Sequence, residues 1–274
     1  MKAREKVVIK LGGSALKNRE CMKMLLGDVA RISQACDVVI VHGGGPEINA
    51  ALTAADKQPR FLEGLRITDS EVLSVVRDVL DKMNGDIVQH LQEIGVNGIS
   101  VQSDNHCLSA SKKWVFAPTG AKHDIGWVGK IDAVDCNVVT EAWAKGGIPV
   151  FVSLGHDEQG NLYNVNADEA AMALAIALAA TTLVFVTDVP GVMLNDETIV
   201  PELGLDDISL YIESGIITGG MIPKVRSCAN GVRQGVGRVL ITKPEQPGDL
   251  EKAVMHAGSK GTAISKTACY SHAA

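Results

Sequence analysis

The sequence predicts an α/β fold built on a mostly parallel sheet. Short apolar runs rich in Val, Ile and Leu recur along the chain, with helix-period segments between them. Aromatic residues are scarce at 4%, so the core is aliphatic, as in sheets covered on both faces rather than in an aromatic-rich sandwich. Glycine is plentiful, 28 of 274 residues, and much of it falls just after an apolar run. With 46% hydrophobic and 21% charged residues, a mainly disordered chain is excluded, and the length allows one large domain or two modest ones.

The buried strands are expected at Val7–Leu11, Val38–Val41, Gly98–Val101, Val150–Leu154, Leu183–Val186 and Arg238–Ile241. Glu20–Ala35 carries Met22, Leu25, Leu26, Val29 and Ile32 at helical spacing. Ser70–Leu91 does the same with Val72, Val75, Val76, Val79, Leu80, Met83, Ile87 and Leu91, after a Thr68 or Asp69 cap. Asp135–Lys145 and Asp168–Ala180 are further helices. Trp114–Lys130 breaks the rhythm with Pro118, Gly120, Gly126 and Gly129, and reads as a hairpin or long loop. The uncharged run Ala170–Val186 approaches the roughly 20 residues of a membrane span. It is Ala-rich at first and β-branched later, which predicts a helix followed by a buried strand. No Pro/Ser-rich linker is present, and the expected boundary lies near Ala179–Ala180, dividing residues 1–179 from 180–274.

A net charge of −6 argues against a broad nucleic-acid face. An anionic small substrate needs its positive charges concentrated in one place. The six cysteines, at 21, 36, 107, 136, 228 and 269, form no C-x-x-C pair. They are expected to be reduced and buried, as in the cytoplasm. The opening Met-Lys-Ala-Arg-Glu-Lys has no apolar signal-peptide region.

Six segments concentrate chemistry where strands are expected to end. Lys10 closes an apolar run and is followed by Gly12-Gly13, a junction where backbone N–H groups can approach an anion. The spacing is not that of a P-loop. Val38–Val41 runs into His42-Gly43-Gly44-Gly45-Pro46, and three glycines in a row point to close ligand approach. G-x-G-x-x-G is not satisfied there, against a dinucleotide fold. His42 fits a loop-holding role better than acid/base work. Arg66, in Gly64-Leu65-Arg66-Ile67-Thr68-Asp69, can clamp a carboxylate. Strand-like alternation would put Asn164, Asn166 and Asp168 on one side, although Asp168 could simply cap the helix that follows. Thr187-Asp188-Val189-Pro190-Gly191-Val192, followed by Met193, is another strand end entering a turn. Thr218-Gly219-Gly220-Met221 precedes a helix that begins with Lys224 in its first turns. A lysine there opposes the helix dipole, which suggests a functional reason for it.

The ordered set IKLGG, VHGGG, GLRITD, NVNADEAA, TDVPGV and GIITGGMIPKV, from Ile9 to Val225, resembles the amino acid kinase superfamily and within it the acetylglutamate kinases. Gly261-Thr262-Ala263-Ile264 also resembles the family's closing strand. The resemblance implies a three-layer α/β/α sandwich with an open, mostly parallel central sheet. Its N-terminal lobe would bind the acyl amino acid and form a homodimer, and its C-terminal lobe would bind ATP. The implied reaction is phosphoryl transfer from ATP to the γ-carboxylate of N-acetyl-L-glutamate, in arginine biosynthesis. Lys10 and Lys224 would stabilise the transferring group, and Asp168 would hold both ammonium groups. Gly12, Gly13, Gly44 and Gly45 would supply backbone turns to the phosphates and the attacking carboxylate. Arg66 would grip the substrate α-carboxylate and Asn164 its amide region. Asp188, Val189, Pro190, Gly191, Val192 and Met193, with Ile216, Ile217, Thr218, Gly219, Gly220 and Met221, would line the nucleotide site. Mg²⁺ would ride on the nucleotide phosphates with few direct protein ligands.

Arginine-inhibited members carry a long helix before the first strand. Nine residues precede Lys10 here, so a dimer with little arginine inhibition is expected. The stretch Leu240-Ile241-Thr242-Lys243-Pro244 and the segment Ser111–Lys130 depart from the family pattern. The competing readings are a sibling kinase acting on another carboxylate such as an N-modified aminoadipate, a nicotinamide oxidoreductase, and a non-catalytic sensor. The missing G-x-G-x-x-G disfavours the oxidoreductase, and the joint presence of Lys10, Asp168 and Lys224 disfavours the sensor.

Overall fold

The computed structural model describes residues 3–16, 18–116, 120–194, 198–256 and 258–267. In chain order the elements begin with β1 (Glu5–Leu11), a 3-10 turn (Gly13–Leu16), α1 (Arg19–Ala35), β2 (Cys36–His42) and α2 (Gly45–Ala54). A two-strand ribbon, β3 (Phe61–Leu62) and β4 (Leu65–Arg66), precedes α3 (Ser70–Glu93) and β5 (Gly98–Val101). Then come β6 (Leu108–Phe116), β7 (Lys122–Val134), α4 (Asn137–Ala144), β8 (Ile148–Val152), β9 (Leu154–His156), β10 (Leu162–Val165) and α5 (Ala167–Ala177). The chain closes with β11 (Thr182–Val186), β12 (Glu202–Gly204), α6 (Asp207–Glu213), α7 (Met221–Arg233), β13 (Arg238–Thr242), α8 (Asp249–Met255) and β14 (Thr262–Ser265).

Two compact units divide the described residues. Unit 1 takes those of Met1–Val39 and Leu178–Ala274, and unit 2 is Ile40–Ala177. In unit 1 the strands lie in the order β12-β14-β13-β11-β1. β1, β11 and β13 are parallel and in register, so that Leu11, Val186 and Thr242 end level with one another. β14 runs antiparallel to β13 and parallel to β12. The sheet core is Val7, Val8, Ile9, Val184, Phe185, Val239, Leu240 and Ile241, with Leu25, Leu26, Val29 and Ile32 buried on α1. Asp28 is buried on α1 and accepts from Gly248 N (2.8 Å) and Leu250 N (2.9 Å), capping α8 from a distant part of the chain.

In unit 2, β2, β8 and β5 are parallel neighbours. β10, β7, β6 and β9 close into a small barrel, which the sequence reading did not foresee. Ile48 and Leu52 of α2, Val76 and Leu80 of α3, and Val152 and Leu154 form one core cluster. The mixed α/β class and the mostly parallel sheets agree with the sequence.

Several local expectations are corrected. The run Val150–Leu154 is two strands, because Ser153 breaks it and gives its carbonyl to Val165 N (3.0 Å), sending β8 and β9 into different sheets. Trp114–Phe116 and Lys122–Lys130 lie in the antiparallel pair β6 and β7, in agreement with the hairpin reading, with Gly126 and Gly129 inside β7, while Pro118 lies outside the described residues. α5 ends at Ala177, ahead of Ala179 in the left-handed region (φ 48°). Among the described residues no helix is long and apolar enough to cross a membrane. Of the five cysteines described, none forms a disulfide. Cys36, Cys107 and Cys228 are buried, whereas Cys21 and Cys136 are only half-buried; Cys269 lies outside the described residues.

Candidate active site

Unit 1 gathers its polar groups at the level carboxyl ends of β1, β11 and β13. Lys10 is half-buried one residue before the end of β1, beside Phe185 in register, and Gly12 N donates to Val186 O (3.2 Å). The adjacent strand ends in Thr187-Asp188, and Thr187 N donates to Thr242 O (3.0 Å). The Thr187 hydroxyl donates to Asp188 Oδ1 (3.0 Å) and accepts from Lys224 Nζ (3.3 Å). That donation, the local backbone N–H and the nearby Lys224 and Lys243 cations hold the Asp188 carboxyl below the usual carboxylate range. Lys224 is half-buried in the first turns of α7, as its motif suggested.

The two loop stretches expected around the nucleotide differ in exposure. Asp188 and Met193 are exposed and Val189 and Pro190 half-buried, but Gly191 and Val192 are buried. Val192 N donates to Thr262 Oγ1 (2.8 Å), and a Cβ on Gly191 would lie 2.6 Å from that oxygen. Gly191 and Val192 therefore shape the turn through backbone. In the other stretch, Thr218, Gly219 and Gly220 are exposed, Ile216 and Met221 are half-buried, and Ile217 is buried.

In unit 2 the glycine turn after β2 is tightly packed. A Cβ on Gly44 would lie 2.7 Å from Met83 Sδ and 3.0 Å from Leu80 Cδ2, whereas Gly45 meets nothing within 4 Å. Pro46 takes an early position in α2, as Pro tolerates. Arg66 on β4 is buried at 8% exposure, and burial pushes its pKa down. Its Nη2 donates to Asn49 Oδ1 (2.7 Å), with a longer bond to Gly45 O (3.4 Å), and its guanidinium lies 4.8 Å from the Phe61 ring centroid. Nη1 is buried and has no hydrogen-bond partner. A desolvated guanidinium with one nitrogen unmatched is a ready donor to a carboxylate oxygen.

Asn164 sits on β10 and donates through Nδ2 to Thr68 Oγ1 (3.1 Å). The expected alternation through Asp168 does not hold, because β10 ends at Val165. Asn166 instead takes the helix cap, accepting from Asp168 N (2.8 Å). Asp168 lies half-buried in the first turn of α5, where the helix dipole favours a carboxylate. His42 is a structural residue. It is fully buried, its Nδ1 lies 3.1 Å from Gly43 O and its Nε2 3.4 Å from Asn84, and burial lowers its pKa to about 4.

The sequence reading missed Asn49, and it gave no role to the Thr187 hydroxyl or to the inward side of Thr68. Thr68 is quoted above as a cap candidate, but Asp69 caps α3 by accepting from Val72 N (2.8 Å) and Glu71 N (3.1 Å). Asn49 carried one weak signal, a short polar side chain one turn after a glycine-rich helix start.

The model of the amino acid kinase family matches residues 5–243, and the chain belongs to that family and is a kinase. It is similar to the acetylglutamate kinase of Brachyspira hyodysenteriae, at 39% identity over 240 residues covering 86% of this chain and 82% of that one. Similarity to the acetylglutamate kinase of Methanococcus aeolicus is 38% over 271 residues, covering 96% and 92%. Among solved structures, smu.665 from Streptococcus mutans UA159 superposes with a TM-score of 0.76 at 30% identity, covering 96% of this chain and 99% of that one.

Proposed function

We propose that this kinase phosphorylates the γ-carboxylate of N-acetyl-L-glutamate with ATP, giving N-acetyl-L-glutamyl 5-phosphate and ADP. The step belongs to arginine biosynthesis, and the enzyme works in the cytoplasm as a homodimer. The relatives' activity supports the substrate. The structural observation that carries the reading is the buried Arg66, held by Asn49 on one nitrogen and unmatched on the other.

The chemistry needs little beyond charge and position. A glutamate side-chain carboxylate, with a pKa near ~4.3, is already ionised at neutral pH. No general base is required, which agrees with His42 being buried and structural. A carboxylate oxygen attacks the γ-phosphorus, the P–O bond to ADP breaks, and no proton moves. The barrier is the approach of two anions, so fixed cations and backbone N–H groups reduce it. In this reading Lys10 and Lys224 neutralise the transferring group and Asp168 supplies the organising carboxylate. Gly12, Gly13, Gly44 and Gly45 present backbone to the phosphates and the attacking carboxylate. Arg66 and Asn164 hold the α-carboxylate and the amide. The turns Asp188–Met193 and Ile216–Met221 border the nucleotide. Mg²⁺ would be carried by the nucleotide phosphates with few direct protein ligands, and would supply charge screening there.

The test is an ATP- and Mg²⁺-dependent hydroxamate assay with N-acetyl-L-glutamate, run beside free glutamate, N-acetyl-aspartate and N-acetyl-aminoadipate. Trapped acyl phosphate is expected with N-acetyl-L-glutamate far above the others. Silence with it, in a protein that still binds ATP, overturns the substrate assignment.

A further inference from the structure

Thr68 has been given no part in recognising the substrate, yet it is fully buried and joins the two residues read as acyl amino acid contacts. Its hydroxyl donates to Arg66 O (2.8 Å) and accepts from Asn164 Nδ2 (3.1 Å). A threonine hydroxyl has one proton to give. With that proton committed to the Arg66 carbonyl, Oγ1 can only accept from Asn164. A reversed amide would set Oδ1 against an oxygen with no hydrogen to offer. The side chain of Asn164 is therefore held with Nδ2 on Thr68 Oγ1, and Oδ1, an acceptor, is the end of the amide left to meet a ligand.

The backbone of Thr68 is locked as well. Its N donates to Ile125 O (2.9 Å), and its O accepts from Trp127 N (2.6 Å). Between these two lies Gly126 at φ 80°, where a Cβ would fall 2.0 Å from Thr68 O and 2.7 Å from its carbonyl carbon. Only glycine permits this joint. Around it, Val115, Ile125 and Val128 of the hairpin pack with Leu62 and Leu65 of the ribbon and with Ile67 just after it, and Asn164 pairs in register with Val128. The hairpin that departs from the family pattern is thus tied to the ribbon bearing Arg66 and to the strand bearing Asn164.

We infer that Thr68 is a positioning and specificity-determining residue: by fixing the Asn164 amide it presents Oδ1 to an N–H of the substrate and selects acyl amino acids joined through an amide. An ester-linked analogue brings an oxygen with no hydrogen to that acceptor and leaves it unmatched. The inference rests on the reading of Arg66 and Asn164 as acyl amino acid contacts.

The experiment measures ADP release by the full chain with N-acetyl-L-glutamate and with 2-acetoxyglutarate, its counterpart with oxygen in place of N–H. The wild type is expected to favour the amide by about a hundredfold in kcat/KM. Thr68→Val removes the hydroxyl at nearly constant volume. It should raise the KM for N-acetyl-L-glutamate about tenfold, leave the KM for ATP in place, and cut the amide preference by about tenfold. Thr68→Ser should recover both. Thr68→Ala, which removes the same hydroxyl without adding bulk, should repeat the KM split, and it decides the matter if Thr68→Val fails to fold by circular dichroism. Wild-type KM and amide preference in Thr68→Val, or equal loss in Thr68→Ser, overturns the inference while the substrate assignment stands. A wild type inactive on N-acetyl-L-glutamate overturns both.

Discussion

Arg66 and Lys224 carry the same charge in opposite surroundings. Arg66, in unit 2, is buried, bonded to Asn49 and stacked near Phe61. Lys224, in unit 1, is half-buried in the first turns of a helix and holds Thr187 through a long 3.3 Å bond. The guanidinium is a rigid fork with its geometry set before substrate arrives, suited to a carboxylate that keeps its charge from binding to release. The lysine is a point charge on a flexible stem, suited to a group whose charge and position change during the reaction. In the proposed reading, unit 2 recognises the substrate and unit 1 stabilises charge in motion.

The largest effect should come from the lysines. Lys224→Ala and Lys10→Ala are each expected to lower kcat a hundredfold or more, about 3 kcal/mol of transition-state stabilisation. Their melting temperatures should stay near wild type, since neither side chain is in the core. Steady-state kinetics with wild-type turnover in either variant would erase the contrast between the units.

The buried polar network of unit 2 should show in acid. The folded-state pKa of His42 is about 4 against an ordinary 6.5. Between those values the unfolded chain binds the proton and the folded chain does not. Stability is therefore full above pH 6.5 and falls as the pH drops toward 4, by about 3 kcal/mol from this residue. Urea midpoints at several pH values should show that slope, and His42→Gln should flatten it. An unchanged slope in the variant places the acid sensitivity elsewhere.

Arg66→Ala is expected to raise the KM for N-acetyl-L-glutamate by tens of fold, about 2 kcal/mol, with kcat at saturation little changed, because the contact persists from ground state to transition state. A kcat defect with unchanged KM would move Arg66 to the reacting end. The smallest effect belongs to Asn49→Ala, which frees the Arg66 fork and should raise the same KM several-fold, about 1 kcal/mol. If it matches Arg66→Ala in size, Asn49 itself meets the substrate.

The amino-acid sequence by itself determined what repeats or punctuates. Aliphatic runs placed β1, β2, β5, β11 and β13, the three-and-four spacing placed α1 and α3, and Gly-rich turns after strands marked where ligands could approach. Those signals are local, set by side-chain periodicity and by the backbone freedom of glycine. Tertiary structure decided what depends on partners far along the chain. Ser153 splits an apolar run only because Val165 takes its carbonyl, and the barrel exists only once β6, β7, β9 and β10 meet. Asp28 caps a helix some 220 residues away, and Asn166 releases Asp168 from capping duty. Thr68 reads as an ordinary cap residue until Arg66, Ile125, Trp127 and Asn164 are folded around it. A hydrogen bond depends on ångström-scale placement of two groups, and residue type alone states only that a donor or an acceptor is available.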